Sequence, residues 1–144
     1  MGKDKNTNKK PLRPYTETQF SGKWPKGIYA YLQDEYTGTC YMLPYGEWVI
    51  GRKDTDIEET VDIPVTTTEK FQKELSYMSR KHAILTLKRN IIGETSLFIC
   101  DFKKTTNHTC VNKIPLNEKF NYQLFDEDII RMGALFFTAH LRLH

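Results

Sequence analysis

The stretch His82-Ala-Ile-Leu-Thr-Leu-Lys88 decides the fold. Ala83, Leu85 and Leu87 alternate with Ile84, Thr86 and Lys88, so an extended chain here turns one uniformly apolar face toward a core. Segments of similar character lie on both sides. Before it, residues 27–33, 39–43, 47–50 and 61–63 read as strands; after it come 96–101, 110–112, 122–125, 128–132 and 135–143. Turn chemistry separates them at Glu35–Gly38, Pro44–Gly46, Pro64 and Thr105–His108. Only residues 68–75 (TEKFQKEL) suit a helix, with Thr68 as its cap and Phe71 and Leu75 on one face. Many short strands with turns between them predict an all-β domain, a sandwich or a barrel.

At 144 residues, with 39% hydrophobic and 27% charged residues, the chain has the size and composition of one ordinary globular domain. Its three cysteines are odd in number and include no CxxC, which argues against a disulfide scaffold or a zinc ribbon and for reduced thiols inside a cell. No apolar run approaches the ~20 residues needed to span a bilayer. The polar N-terminus lacks the apolar region of a secretory signal, and Asn6 breaks the myristoylation pattern. The expectation is a cytoplasmic protein with no membrane partner. Residues 1–24 hold six basic residues (Lys3, Lys5, Lys9, Lys10, Arg13, Lys23) against Asp4 and Glu17, and few apolar ones. They predict a flexible basic leader, with the folded domain spanning 25–144. Because the body is near neutral, no nucleic-acid partner is expected.

Three pieces combine cationic, hydroxyl and amide side chains at strand ends, where a rigid scaffold presents binding groups. They are Gly51-Arg52, Ser79-Arg80-Lys81-His82, and Thr105-Thr-Asn-His-Thr109 with Val111-Asn112. Guanidinium, hydroxyl and amide donors without a carboxylate among them suit a phosphate group.

In order and spacing, Trp48-Val-Ile-Gly-Arg52, Met78-Ser-Arg-Lys-His-Ala83 and Asn107-His-Thr-Cys-Val-Asn112 resemble the forkhead-associated (FHA) domain pattern. Leu124-Phe-Asp-Glu-Asp-Ile-Ile-Arg-Met-Gly133 is similar to that family's closing hairpin. The resemblance spans about residues 27–144. It implies a β-sandwich of two mainly antiparallel sheets, with loops at one end that grip a phosphothreonine in an extended peptide. By position, Arg52 and Ser79 match the family's phosphate contacts, and Arg80 and Thr106 occupy loop positions that help hold it. Asn107 matches the residue that bonds the peptide backbone, with Asn112 in support; His82 braces the loops beside Gly51. The implied partner is a phosphothreonine-containing protein or peptide, with no cofactor, no metal and no enzymatic activity.

The chain departs from the pattern at His108, Lys113 and Glu127, where glycine is usual. Such positions often need φ > 0, so strain or a reshaped loop is expected there. These departures support the alternative of a phospho-independent protein–protein scaffold. Taken singly, Arg52 is an ordinary surface arginine and Ser79 a turn hydroxyl; together they point to an anion. Cys100, His108, Cys110 and His82 fit no common zinc spacing. Trp48, Phe98, Phe125, Phe136 and Phe137 are expected in core or inter-sheet packing. Oligomeric state is left open.

Overall fold

Period-two alternation builds the structure, a computed structural model that describes residues 12–53, 61–102, 107–117 and 120–142. The strands are β1 (Tyr15–Glu17), β2 (Ala30–Asp34), β3 (Cys40–Leu43), β4 (Gly46–Arg52), β5 (Ile63–Val65), β6 (Ala83–Arg89), β7 (Thr95–Asp101), β8 (Thr109–Val111), β9 (Ile114–Pro115), β10 (Tyr122–Leu124), β11 (Ile129–Met132) and β12 (Leu135–Leu141). Between β5 and β6 a 3-10 turn, Glu69–Phe71, runs into α1, Gln72–Ser76.

The strands form two sheets, a larger one ordered β1-β3-β2-β12-β11-β8-β9 and a smaller one ordered β10-β7-β6-β4-β5. Among the described residues all pairings are antiparallel except β4 with β5. This is the expected sandwich. Leu85, Leu87, Leu97 and Ile99 of the smaller sheet and Leu32, Leu43, Ile130 and Phe137 of the larger one share the buried core. Each such side chain contributes about 1.5–3 kcal/mol on burial.

Several expectations need correction. Residues 12–24, read as flexible, are ordered against the sandwich. β1 pairs with β3, Arg13 forms an ion pair with Asp62, and Phe20 and Trp24 pack on Tyr31. Composition missed this because a few well-placed side chains suffice when a neighbouring sheet supplies the rest of the contact. Pro64 does not end its strand. It sits exposed in β5 at a sheet edge, where a missing N–H costs no ladder bond. Thr68 makes no side-chain cap to the helical turn. Leu75 is buried, whereas Phe71 stacks on Tyr36 at 4.6 Å.

Trp48 and Phe137 lie in the core as expected. Phe125 and Phe136 do not, being 60% and 38% exposed. Phe136 and Phe137 are adjacent in a strand, so only one can face the core. By the same alternation Phe98, between buried Leu97 and Ile99, faces outward and carries the Lys88 ammonium 4.8 Å from its ring centre.

Candidate functional site

Antiparallel pairing collects the polar motifs at one end of the sandwich. Ile50 pairs with Ala83, and Ala83 with Asp101, so the end of β4, the start of β6 and the end of β7 coincide. Across the core, Met132 pairs with Thr109, where β8 begins and the β11–β12 turn lies. Arg52, Ser79–His82 and Asn107 therefore emerge together.

The segment 77–82 is held from both sheets. A Cβ on Gly51 would stand 1.9 Å from the Arg80 carbonyl oxygen, so only glycine admits the segment on that side. On the other side Gly133, at φ +67°, would place a Cβ 2.5 Å from the Tyr77 carbonyl oxygen. Met78, between them, is buried. The Arg52 N–H donates to the Ser79 carbonyl at 2.9 Å. The Ser79 N–H donates to His82 Nδ1 at 3.0 Å, which fixes the imidazole proton on Nε2. His82 is fully buried, and its N–H and C=O bond Ile50 and Phe102. Burial pushes its pKa down to about 4; Asp101 opposes this and His108 reinforces it. His82 is thus neutral and turned into the fold, where it accepts the Ser79 N–H.

Arg52 is half-buried, and its Nε is a buried donor without a hydrogen-bond partner among the described residues. Ser79 is half-buried beside it and Arg80 is exposed. Asn107 donates through Nδ2 to the Tyr77 carbonyl at 2.9 Å, tying the two loops together. Thr106 lies outside the described residues. Asn112 uses both ends of its amide within the fold. Its Nδ2 donates to Asp128 at 3.0 Å and its Oδ1 accepts the Ile129 N–H at 2.9 Å. It braces β8 against β11. The predicted backbone departure holds at Lys113 (φ 73°) and Glu127 (φ 71°) and extends to Asn112 (φ 49°); His108 is not among the positive-φ residues. The second loop is anchored by buried Asp101, whose Oδ1 accepts the Thr109 N–H at 3.0 Å while Oδ2 lies 3.4 Å from His108 Nδ1.

Sequence reasoning missed a cavity of about 460 Å³ beside Asn107, lined by Tyr36, Glu74, Tyr77, Arg131, Gly133 and Phe136 among others. Its walls come from separate elements, so no linear motif announces it. Phe136, expected in the core, is turned outward by the alternation of β12 and so becomes one of these walls.

A partly buried guanidinium, a half-buried hydroxyl and a carboxamide thus stand at one end of the sandwich, with a cavity beside the carboxamide. No helix among the described residues is long and apolar enough to cross a membrane. No curated protein sequence matches the chain significantly. Among solved structures, an FHA domain studied for phosphothreonine-dependent interactions is similar at 23% identity and TM-score 0.58, covering 81% of this chain and 97% of its own. The MEK1 FHA domain in complex with the HOP1 pThr318 peptide is similar at 16% identity and TM-score 0.58, covering 79% and 97%. The yeast splicing factor Pml1 follows at 17% identity and TM-score 0.62, covering 81% of each chain. These likenesses establish the fold. The FHA domain profile itself matches residues 48–133, more than half of the sequence. The chain belongs to the FHA-domain family, a family of protein–protein interaction modules and not of enzymes.

Proposed function

We propose that this end of the sandwich binds a phosphothreonine-containing segment of a partner protein, with Arg52 and Ser79 on the phosphate and Asn107 on the adjoining peptide backbone. One observation carries this reading: the buried Arg52 Nε has no partner among the described residues, beside a half-buried Ser79. A buried unsatisfied donor costs about 1–3 kcal/mol, a cost that an anionic acceptor removes. Phosphothreonine carries about −1.5 to −2 charge with three strong acceptor oxygens, which suits that donor and the neighbouring hydroxyl. Arg80 and Thr106 complete the phosphate side by resemblance, while Gly51, His82 and Asn112 hold the loops in place. The peptide complex of the MEK1 FHA domain supports the same mode. The three free cysteines, Cys40, Cys100 and Cys110, suit a reducing, cytoplasmic setting.

Two or three charge-assisted bonds of about 1.5–3 kcal/mol each, less the cost of association, correspond to micromolar affinity, near −8 kcal/mol. Calorimetric titration with phosphothreonine peptides and their unphosphorylated twins tests this. Binding is expected only with the phosphate, and Arg52→Ala is expected to weaken it about a hundredfold, the worth of about 3 kcal/mol. Equal binding of both twins, unaffected by Arg52→Ala, replaces this reading with a phospho-independent scaffold.

A further inference from the structure

The outer face of the larger sheet carries a row of side chains that runs across the strands. Phe136 of β12 pairs with Arg131 of β11, Arg131 with Cys110 of β8, and Cys110 with Pro115 of β9. Residues paired in this way project from the same face. They line a trough of about 600 Å³, together with Ile129 and Lys113. Phe136 and Ile129 are 38% and 39% exposed. Arg131 makes no ion pair or side-chain hydrogen bond among the described residues.

This trough and the cavity beside Asn107 share two walls, Arg131 and Phe136. A chain leaving the candidate phosphate site past Asn107 thus crosses directly onto the row. With strands about 4.8 Å apart, the row spans about 14 Å, the length of about four extended residues. Its chemistry is apolar with two cations, Arg131 and Lys113.

We infer that the partner segment is read well beyond its phosphothreonine. After the cavity at Asn107, the segment crosses the outer face of the larger sheet. It seats an apolar side chain against Phe136 and Ile129 and sets an acidic one beside Arg131 or Lys113. This rests on the phosphothreonine reading, because the occupant is identified by the trough's continuity with that site. The row lies at a right angle to the strands, so the segment lies over side chains and adds no strand to the sheet.

The test uses an arrayed library with phosphothreonine fixed and ten randomised residues on each side. The selected peptides are then trimmed to three residues on each side, and unphosphorylated full-length twins are made. Ile129→Ser and Lys113→Glu are the informative variants, because both residues line the trough and neither lines the cavity at Asn107. Selected long peptides are expected to carry an apolar and an acidic residue on one side. They should bind about tenfold tighter than trimmed ones, the equivalent of one good contact. Both variants should remove that gain while trimmed peptides bind as before. Equal affinity of long and trimmed phosphopeptides, or a gain that survives both variants, overturns the trough and leaves the phosphate site standing. Tight binding of unphosphorylated long peptides that Ile129→Ser abolishes and Arg52→Ala spares overturns the phosphothreonine reading and keeps the trough. No binding by any peptide overturns both.

Discussion

The two loops that meet at the candidate site are held by different physics. Segment 77–82 is wedged between backbones: Gly51 on one sheet and Gly133 on the other allow approaches that no Cβ permits, and a fully buried His82 ties it from below. The described end of the loop at Asn107 is held by polar contacts: the Thr109 N–H and His108 Nδ1 on Asp101, and Asn107 on the Tyr77 carbonyl. The first loop is a steric fixture and the second an electrostatic one. Substitutions in the first should therefore act through shape and damage folding. Those in the second should act through hydrogen bonds and be graded.

The largest effect is expected at Gly51. Gly51→Ala puts a methyl 1.9 Å from a carbonyl oxygen of the chain, with no flexible side chain to give way. Overpacking against backbone is expected to cost about 3 kcal/mol. Urea denaturation checks this through a lower midpoint at unchanged slope. Phosphopeptide affinity should fall with it, because Arg52 and Ser79 are positioned by the same contact.

The next effect requires no mutation. His82 is held neutral, with its pKa lowered from 6.5 to about 4, chiefly by burial. An unfolded chain takes up this proton below about pH 6.5 while the folded chain resists it until about pH 4, so stability falls as pH drops through that window. It is fully present above pH 6.5, and the separation is worth about 3 kcal/mol. Denaturant midpoints between pH 7 and pH 4 should follow this fall. A His82→Gln variant, which keeps a polar group without the titration, should flatten the part due to this residue.

In the second loop the expected cost is smaller. Asp101→Ala leaves the buried Thr109 N–H without its acceptor, at about 2 kcal/mol. Amide exchange should then accelerate at Thr109 while Ala83, its neighbour on the first loop's side, stays protected. Equal acceleration at both sites would mean that the loops are one mechanical unit and that the contrast between them is false.

The sequence exposed the wedged loop far better than the hung one. Gly51-Arg52 and Ser79–His82 sit directly at ends of strands whose alternation is clean, so their place follows from strand pairing alone. The bonds of Asn112 were not legible, because a carboxamide near a loop has the same composition whether it faces outward or spends both ends on Asp128 and Ile129. The groove beyond Asn107 was illegible for a different reason. Tyr36, Glu74, Tyr77, Arg131 and Phe136 meet only after both sheets are assembled, and each is unremarkable in its own segment. Strands β1 and β9, of three and two residues, are too short to announce themselves, and they exist because the larger sheet has strands there to pair with them.

The smallest effect has the opposite sign. Lys113 holds φ 73° in the turn between β8 and β9, a conformation that costs an L-residue about 1–2 kcal/mol and glycine almost nothing. Lys113→Gly should therefore stabilise the protein, by about 1 kcal/mol once the added freedom of the unfolded chain is subtracted. That turn lies just past the electrostatically held loop and far in sequence from the wedged one. Its relief should raise the denaturant midpoint without changing affinity for short phosphopeptides. A rise in both would show that strain at Lys113 propagates through β8 to Asn107, so that the polar loop is coupled to the turn that follows it. A midpoint left unchanged would mean that the Lys113 side chain regains in contacts on the trough what its backbone loses.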